Sequence, residues 1–258
     1  MLAIERRKRI FGLLQKQGIV TVSELSAAFA VSEETIRRDL QKTENSSSGV
    51  ARTHGGAFIS KTVHSDIPIS IRENICLDGK TRIALLCEGL VEEGDTVILD
   101  SSTTSLHIAE HLKHKRNIVV ITNALKIAMC FAGVDHVKVI SIGGTLRHSQ
   151  MSFIGPAAER VVSEYYADKA FVSCVGVDLV KGITDADEQE AEVRKLMLRQ
   201  ATKKILVADN TKLGKTSFSF IAPINGLDWL VTDQQPDTTW RDELEAKHIA
   251  CLYPPPEP

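Results

Sequence analysis

The residues of this chain best suited to chemistry lie on a short helical stretch near its N terminus. Residues Thr35–Leu40 read Thr-Ile-Arg-Arg-Asp-Leu, and Ile36 and Leu40 are four apart, as on the buried face of a helix. That spacing turns Arg37 and Arg38 outward, where a guanidinium group can pair with a guanine edge or a phosphate. A solvated helix face with ion pairs would use the same residue types, so the neighbouring elements must decide between the two.

The neighbouring elements favour contact with DNA. An apolar stripe over residues 4–14 predicts a first helix that ends at Gly18. The capping box Thr21–Glu24 then opens a second helix. For the inner face of this helix we expect Leu25, Ala28 and Phe29. The short turn Ala30–Ser32 leads into the arginine-bearing helix, and helices joined in this way cross steeply, with the polar face of the second directed away from the core.

A glycine hairpin is predicted to follow the arginine-bearing helix. Residues 50–57 suit a wing, in which a short strand turns Arg52 and His54 outward. The paired glycines at 55 and 56 permit a tight turn, although a plain turn between two domains would also use them. The DNA-contacting residues that we expect from the helix and the wing together are Ser32, Glu33, Thr35, Arg37, Arg38, Gln41, Arg52 and His54.

A second group of candidate residues lies in the middle of the chain. Residues Asp100–Ser105 read Asp-Ser-Ser-Thr-Thr-Ser, directly after an apolar run and directly before an amphipathic helical stretch. Backbone N–H groups at a helix start, together with hydroxyl groups, form a cradle for a phosphate. A helix cap would explain one hydroxyl, but five hydroxyl-bearing residues in succession exceed what a cap requires. We therefore predict that this loop binds phosphate.

From Lys80 onward, apolar β-rich runs alternate with amphipathic helical stretches such as 106–112 and 190–203. The apolar runs cover residues 96–100, 117–121, 137–142, 170–175, 204–208, 229–232 and 249–252. Alternation of this kind predicts an α/β domain with a largely parallel sheet and helices on both faces, which binds ligands at the carboxyl ends of its strands. Three more loops follow such strands, and they contain Asn123, the pair Gly143 and Gly144, and Lys212.

Composition divides the chain into a basic head and an acidic body. Residues 1–57 carry nine Lys and Arg against six Asp and Glu, or +3, so with a total of −2 the remainder carries −5. We expect an N-terminal domain over residues 1–57, a linker over 58–79 and a C-terminal domain over 80–258. Five scattered cysteines predict reduced thiols, and the short apolar runs predict no membrane partner and a cytoplasmic location.

The N-terminal motifs resemble those of a known family. Thr35–Leu40 and Arg52–Ala57 match the Thr-Ile-Arg-Arg-Asp-Leu and Arg-x-His-Gly-Gly-Ala motifs of the DeoR-type helix-turn-helix in bacterial sugar-catabolism repressors. The resemblance implies that residues 1–57 form an all-α winged helix-turn-helix. This sequence departs from the family between the two motifs, where Thr43 replaces an apolar residue and the polar stretch Asn45–Gly49 precedes the wing.

The body resembles the C-terminal sensor domain of the same family, which is itself similar in fold to ribose-5-phosphate isomerase. The resemblance spans Lys80 to about Thr232 and rests on the loops described above, with Gly176–Asp178 in addition. It implies that a phosphorylated sugar is bound by Asp100, Ser101, Ser102, Thr103, Thr104, Asn123, Gly143, Gly144, Asp178 and Lys212. Ser102 replaces the usual glycine, and a left-handed backbone there would cost a serine about 1 kcal/mol.

These observations predict a DNA-binding transcriptional regulator. The favoured function is repression of a carbohydrate catabolic operon at a double-stranded DNA operator, with release by a phosphorylated sugar effector. We expect a homo-oligomer because a single head offers few DNA contacts. No residue pattern indicates a cofactor, and we assign no catalytic residue.

Two alternatives belong to other classes of function. The first is a sugar-phosphate isomerase with a DNA-binding head, whose general base would come from Asp178, Asp185, Asp187, Glu188 or Glu190. The second is a metal site on one helix face, formed by His107, His111 and His114. A solvated histidine stripe is favoured over the metal because the His-Glu-x-x-His pattern is absent, so we assign no metal ligand.

Overall fold

The computed structural model describes residues 2–17, 19–46, 50–53, 56–59, 69–73 and 75–255. The chain divides into two compact units, Met1–Leu77 and Asp78–Pro258. Within the described ranges, none of the helices combines the length and the apolar character that crossing a membrane requires.

The N-terminal unit joins three helices to a small antiparallel sheet. Its elements are α1 (Ala3–Gln17), β1 (Ile19–Thr21), α2 (Val22–Phe29), α3 (Glu33–Ser46), β2 (Val50–Thr53), β3 (Gly56–Ile59) and α4 (Ile69–Arg72). β3 pairs with both β1 and β2, which gives a three-stranded sheet of order β1-β3-β2. The winged helix-turn-helix is thereby confirmed, and β1 is a strand that the motifs do not predict.

One apolar core holds α1 against α3. Ile10 and Leu14 of α1 are fully buried, and Ile36 and Leu40 of α3 pack into the same cluster. The spacing of four on α3 therefore marks its buried face, as predicted, and leaves the opposite face of this helix for other contacts.

The start of α2 follows the predicted capping box. The Thr21 hydroxyl accepts a hydrogen bond from the N–H of Glu24, and the Glu24 carboxylate accepts one from the N–H of Thr21. Ala30, at φ 50°, ends the helix in the left-handed conformation and so makes the short turn into α3. The predicted inner face is wrong at one position: Ala28 is exposed, and Val22 is buried in its place because the helix already begins there.

The C-terminal unit is an α/β fold. Its helices are α5 (Leu77–Glu88), α6 (Thr103–Leu112), α7 (Leu125–Cys130), α8 (Pro156–Val162), α9 (Glu188–Arg199) and α10 (Thr238–Ala246). Its strands are β4 (Thr96–Leu99), β5 (Val119–Thr122), β6 (Lys138–Ser141), β7 (Thr145–Arg147), β8 (Ser152–Ile154), β9 (Ala167–Val172), β10 (Gly176–Asp178), β11 (Gly182–Asp185), β12 (Ala201–Val207), β13 (Ser219–Ala222), β14 (Trp229–Val231) and β15 (Ala250–Leu252). The first residues of α5 fall within the stretch expected to be a linker.

Seven of these strands form one parallel sheet of order β15-β14-β12-β9-β4-β5-β6. They correspond one for one to the seven apolar runs of the sequence, so the predicted parallel sheet is confirmed. Successive residues of β4 enter different cores: Ile98 packs with helices α8 to α10, whereas Val97 and Leu99 pack with helices α5 to α7. The sheet therefore has helices on both faces, and its loops meet at the carboxyl ends of the strands.

Two smaller sheets lie outside the predicted pattern. β10, β11 and β13 form an antiparallel sheet, and β7 and β8 form a hairpin. Each of these strands has only three or four residues, and several are largely polar, so no apolar run in the sequence predicts them. The hairpin matters for the site because it follows directly after the glycine pair at the end of β6.

Candidate functional site

The outer face of α3 carries the predicted arginines into solvent. Arg37 and Arg38 are exposed, as is Gln41. Arg37 lies 2.7 Å from Glu33 and Arg38 lies 3.2 Å from Glu34, each pair one helical turn apart. Exposed pairs of this kind contribute little to stability, so DNA can replace the glutamates as partners of the arginines.

Ser32 and Thr35 form the start of the same helix. The Thr35 N–H donates to Ser32 Oγ at 3.3 Å, and the two hydroxyl oxygens are 2.9 Å apart. These bonds make Ser32 the N-cap of α3. They also place both hydroxyls at the end of the helix that precedes the arginines, where a phosphate oxygen could reach them.

Asp39 is a residue of α3 that the sequence analysis did not single out. Its carboxylate accepts a hydrogen bond from Arg6 Nε at 2.5 Å, and Arg7 lies 3.7 Å away. Arg6 and Asp39 are both buried, so this ion pair fixes α1 against α3 from inside the unit. The sequence could have indicated this role, because Asp39 directly precedes the core residue Leu40 and α1 carries a basic stretch that can pair with it.

The wing is described only in its backbone. Arg52 lies on β2, opposite Ala57 of β3. His54 lies outside the described residues, so its predicted contact and that of the Arg52 side chain stay predictions.

In the C-terminal unit, the loop after β4 is organised around the carboxylate of Asp100. Oδ1 accepts from the Ser105 hydroxyl at 2.5 Å and the Ser102 N–H at 3.2 Å, and Oδ2 accepts from the Ser173 N–H at 3.0 Å and Arg194 Nε at 2.7 Å. Burial alone would raise the pKa of Asp100, but the Arg194 charge and these hydrogen bonds lower it below its usual 3.8. Asp100 is therefore ionised, and its hydrogen bonds fix the conformation of the loop.

Ser102 has an ordinary backbone at φ −78° and ψ 155°. It is the N-cap of α6, where its hydroxyl accepts from the Ser105 N–H at 3.0 Å. The strain expected for a serine in place of the family's glycine does not arise, because this position is not left-handed. Thr103 and Thr104 follow as the first residues of α6, and both are buried. Their N–H groups precede the first intrahelical bond and form the positive end of the helix dipole.

Arg194 lies at the centre of a buried ion cluster beneath this loop. Besides Asp100, its guanidinium group contacts Asp185 and lies 3.9 Å from Glu190. Burial would lower the pKa of Arg194, but these three carboxylates raise it, so the group stays charged. The sequence analysis missed Arg194, although its spacing from the buried Ala191 and Leu198 places it on the inner face of α9.

Glu190 ties the loop after β4 to the hairpin. Its carboxylate accepts from the Ser101 hydroxyl at 2.8 Å and from the Ser152 hydroxyl at the start of β8. Arg147 of β7 lies 3.7 Å from Glu190 and 3.2 Å from Asp187. These contacts hold the hairpin over the carboxyl end of the sheet.

Lys212 is connected to the loop after β4 through Ser173. Its Nζ donates to Ser173 Oγ at 2.9 Å and lies 3.7 Å from Asp209. Because the Ser173 N–H donates to Asp100, Ser173 joins the loops after β4, β9 and β12 in one chain of contacts. The structure therefore brings together Lys212 and the hydroxyl-rich loop, as predicted from strand order, through a serine that the sequence analysis did not identify.

Asn123 and the glycine pair position the hairpin. The Asn123 amide donates to the Phe153 carbonyl at 3.2 Å, while its buried Oδ1 has no hydrogen-bond partner among the described residues. Gly143 and Gly144 have φ of 62° and 120°, and a Cβ on Gly144 would lie 2.8 Å from the Ile154 carbonyl oxygen. Glycine is needed here both for the backbone conformation and for the close approach of β8.

Asp178 stabilises its own turn between β10 and β11. Its carboxylate accepts from the N–H groups of Lys181 at 2.8 Å and Val180 at 2.9 Å, and these bonds lower its pKa. The contacts found for Asp178 do not join it to the loop after β4.

The histidines considered for a metal contact a carboxylate. His111 Nδ1 lies 3.1 Å from Glu88, and His114 Nε2 lies 3.3 Å from the other oxygen of the same residue. This pairing links α6, through His111, and the turn after it, through His114, to the end of α5.

Comparison with known proteins identifies both units. A family model described as a DeoR-like helix-turn-helix domain matches residues 6–63, and one described as a DeoR C terminal sensor domain matches residues 76–234. The chain belongs to the DeoR family. It is therefore a DNA-binding transcriptional regulator, and the isomerase alternative is not favoured.

Relatives within the DeoR family align over nearly the whole chain. The HTH-type transcriptional regulator YulB of Bacillus subtilis is 38% identical over 255 residues, which cover 99% of this chain and 98% of the relative. The HTH-type transcriptional repressor GlcR of the same organism is 34% identical, covering 96% and 95%. The transcriptional repressor AccR of Agrobacterium fabrum is 32% identical, covering 96% and 97%.

A solved structure of D-ribose-5-phosphate isomerase in complex with phospho-erythronic acid covers 52% of this chain and 52% of its own, at 15% identity and a TM-score of 0.39. That overlap is too low to add to the DeoR assignment.

Two of the departures from the DeoR pattern, Thr43 and Ser102, are accommodated in the structure, whereas the third, the stretch Asn45–Gly49, runs into residues 47–49, which lie outside the described residues. Thr43 is buried, and its hydroxyl donates to the Asp39 carbonyl at 2.9 Å, so the polar group has a partner within α3. Ser102 serves as a helix cap, as described above. Neither substitution leaves a strained backbone or an unpaired hydroxyl at its position.

Proposed function

We propose that this protein represses a carbohydrate catabolic operon and leaves its operator when a phosphorylated sugar binds at the carboxyl ends of the large sheet. One observation carries the proposal: the buried hydroxyl-rich start of α6 and the ammonium of Lys212 meet through Ser173. The repressor function of the relatives GlcR and AccR supports the direction of control. We place the protein in the cytoplasm, where operator DNA and phosphorylated sugars are both present.

For the operator, we assign the outer face of α3 to the major groove. Arg37, Arg38 and Gln41 lie on that face, and Ser32 with Thr35 lies at its N-terminal end. Two or more heads are needed to span operator half-sites, which is why we propose a homo-oligomer. The wing residues Arg52 and His54 would contact the neighbouring phosphates.

For the effector, we assign the phosphate to the start of α6. A phosphate carries a charge of about −1.5 to −2 near neutral pH, which suits free N–H groups and an ammonium. Thr103 and Thr104 supply the N–H groups, and Lys212 supplies the ammonium. The hairpin held by Asn123 and Glu190 closes the same end of the sheet and would enclose the sugar.

We propose binding without turnover. The two buried carboxylates among those considered for an isomerase base are already engaged, since Asp185 contacts Arg194 and Glu190 accepts from two serines. An ionised carboxylate in such contacts is poorly placed to take up a proton from a sugar carbon.

A hundredfold loss of operator affinity on effector binding would correspond to about 2.7 kcal/mol of differential binding.

The test is operator binding with and without sugar phosphates. Fluorescence anisotropy on labelled DNA from the chain's own upstream region would give the affinity, and glucose 6-phosphate, fructose 6-phosphate, ribose 5-phosphate and glycerol 3-phosphate would serve as effectors. We expect salt-sensitive binding that at least one of these compounds weakens. Binding that none of them changes would remove the effector site, and isomerisation of any of them would restore the enzyme alternative.

A further inference from the structure

We propose that Gly79 and Lys80, in the first turn of α5, are positioning residues that carry the effector response from the loop at Asp209–Lys212 toward the DNA-binding head. The inference rests on the proposed function and names the place where the effector site meets the start of the C-terminal unit. Three interactions of buried residues, two of them direct contacts and one purely electrostatic, converge on Asp233 and Asp209.

The first contact joins Gly79 to Asp233. A Cβ added at Gly79 would lie 2.8 Å from Oδ2 of Asp233 and 3.2 Å from its Cβ and Cγ. Both residues are buried, so α5 touches this side chain without an intervening gap. In a close-packed interior, a shift of one partner in such a contact displaces the other.

The second contact joins Asp233 to the effector loop. Oδ1 of Asp233 accepts from the backbone N–H of Asn210 at 2.7 Å, and the Asn210 amide donates to Gln234 at 3.0 Å. Asn210 is the first residue of the 3-10 turn Asn210–Lys212. Asp233 therefore has one carboxylate oxygen against α5 and the other on the turn that presents Lys212.

The third contact is electrostatic and involves Lys80. This lysine is only 4% exposed, which is rare for an ammonium group and indicates a compensating negative charge. Asp209 is one such charge. Burial would raise the pKa of Asp209, but Lys212, hydrogen bonds from Thr211 and then Lys80 lower it.

The carboxylate of Asp209 thus lies in the field of two lysines, Lys212 at 3.7 Å in its own loop and Lys80 on α5. A phosphate at Lys212 competes with Asp209 for the Lys212 ammonium. Asp209 then depends more strongly on Lys80, and the balance of charge at the first turn of α5 changes. Effector binding therefore changes the electrostatic environment of α5, although α5 does not bind the effector.

The position of this turn in the chain gives the contact its importance. The C-terminal unit begins at Asp78, so Gly79 and Lys80 are its second and third residues. Every signal from the sensor to the head that travels along the chain passes through them. The effector loop therefore acts on the unit at the point where the chain enters it.

Gly79→Ala tests the steric contact, with Gly89→Ala as a matched control at the other end of α5. The nearest atom to a Cβ at Gly89 is the Leu86 carbonyl oxygen at 3.5 Å, an ordinary contact. For each variant, the fold loss of operator affinity at saturating probe is measured by anisotropy, and probe binding is measured separately by thermal shift. The probe is whichever of the four sugar phosphates named above stabilises the unmodified chain most.

We expect Gly79→Ala to bind operator and probe, while the fold loss of operator affinity caused by the probe shrinks by about tenfold, a typical size for allosteric coupling. Gly89→Ala should behave as the unmodified chain. An unchanged fold loss in Gly79→Ala would overturn the steric part of the proposal.

Lys80→Met tests the charge, with Lys80→Arg as the conservative variant. We expect Lys80→Met to keep probe binding and lose the response of the operator, and Lys80→Arg to recover it. Loss of probe binding in Lys80→Met would make Lys80 a ligand of the effector and overturn its role as a positioning residue.

Hydrogen exchange separates failure of this proposal from failure of the proposed function, because it needs neither probe nor DNA. We expect Lys212→Ala to change amide exchange at residues 79–82, and Lys181→Ala, an exposed lysine on the β10–β11 turn, to leave it unchanged. If no sugar phosphate binds, the proposed function fails. The exchange comparison still shows whether the loop at Asp209–Lys212 is linked to the first turn of α5. Unchanged exchange in Lys212→Ala would refute the link.

Discussion

Arginine serves two opposite purposes in this protein. Arg37 and Arg38 are exposed, and their ion pairs with glutamates on the same helix contribute little to stability, so the contact with DNA that we propose would sacrifice little. Arg194 is buried among three carboxylates and cannot exchange them without leaving charges unpaired. Substitutions at the two kinds of arginine should therefore affect function and stability separately.

The exposed arginines of α3 should control DNA affinity without affecting the fold. We expect Arg37→Ala or Arg38→Ala to weaken operator binding by about 1–3 kcal/mol, the usual value of a good base contact. Anisotropy with operator and with unrelated DNA would measure the effect, and thermal unfolding should be unchanged. Arg9→Ala is a matched control, since Arg9 is also exposed and pairs with Glu5 one turn earlier. Equal operator affinity in all three variants would remove α3 from the groove.

Lys212 should control the effector response without affecting the operator. We expect Lys212→Ala to lose most of the thermal shift with sugar phosphates, because the proposed phosphate site then lacks the ammonium group that donates to Ser173. Operator affinity in the absence of effector should stay within about twofold, as is usual for surface changes remote from a contact. A normal thermal shift in this variant would place the phosphate elsewhere.

The ion cluster beneath the loop after β4 should give stability that depends on pH. The pKa of Asp100 is lowered in the folded protein from its usual 3.8, so its contribution is complete above that value and disappears as pH falls through the lower folded value. We expect Asp100→Asn to lower the urea midpoint strongly at pH 7 and progressively less below pH 3.8. An equal difference at both ends of the range would show that the ionised form is not the stabilising one.

At the scale of elements, the helix-turn-helix depends on one buried ion pair. Asp39 of α3 and Arg6 of α1 are both inside the unit, so α3 is held by charge as well as by Ile36 and Leu40. The pair fixes the orientation of α3 against the core, and therefore the direction in which its exposed face points.

Loss of that pair should unfold or loosen the head alone. Breaking a buried pair typically costs about 3–5 kcal/mol, and we expect Asp39→Ala to lower the thermal midpoint of the N-terminal unit accordingly. Glu34→Ala, which breaks only the exposed pair with Arg38, should leave it almost unchanged. The thermal shift with sugar phosphates should be normal in both variants, since the sensor unit is separate.

The large sheet could be predicted from the sequence because its inner strands are buried toward their carboxyl ends and read there as apolar runs, whereas the edge strands β6 and β15 are only partly buried. The short strands β7, β8, β10 and β11 could not, because they are stabilised by pairing partners rather than by their own composition. The predicted inner face of α2 is wrong at Ala28 because the helix already begins at Val22. In a short helix, the starting residue decides which positions are buried.

The candidate site was predictable only in part. Hydroxyls at a helix start and a lysine after a strand are local signals, and they identified the loop after β4 and Lys212. Arg194 and Ser173 have no local signal of function, because their partner Asp100 is 94 and 73 residues away in sequence. The roles of Gly144 and Ser102 likewise depended on backbone geometry that only the fold reveals.

For the molecule as a whole, charge is divided between the units. Residues 1–57 carry +3 within a total of −2, so attraction to DNA is confined to the head. We expect operator affinity to fall by about tenfold or more between 50 and 200 mM salt, as counterion release predicts for several phosphate contacts. Binding of the sugar phosphate should change less over that range, because its site is buried and less screened. Equal salt sensitivity of the two would contradict this division.

The order of strands has a consequence for how the protein is made. β4, at the middle of the sheet, needs β9 as a neighbour, and Ile98 aligns with Ala170 across that pair. A ribosome must therefore synthesise more than 70 residues beyond β4 before the central strand is flanked on both sides, whereas the last strand of the winged helix-turn-helix ends at Ile59. During synthesis the helix-turn-helix can thus form well before the large sheet, and we expect the two units to fold one after the other.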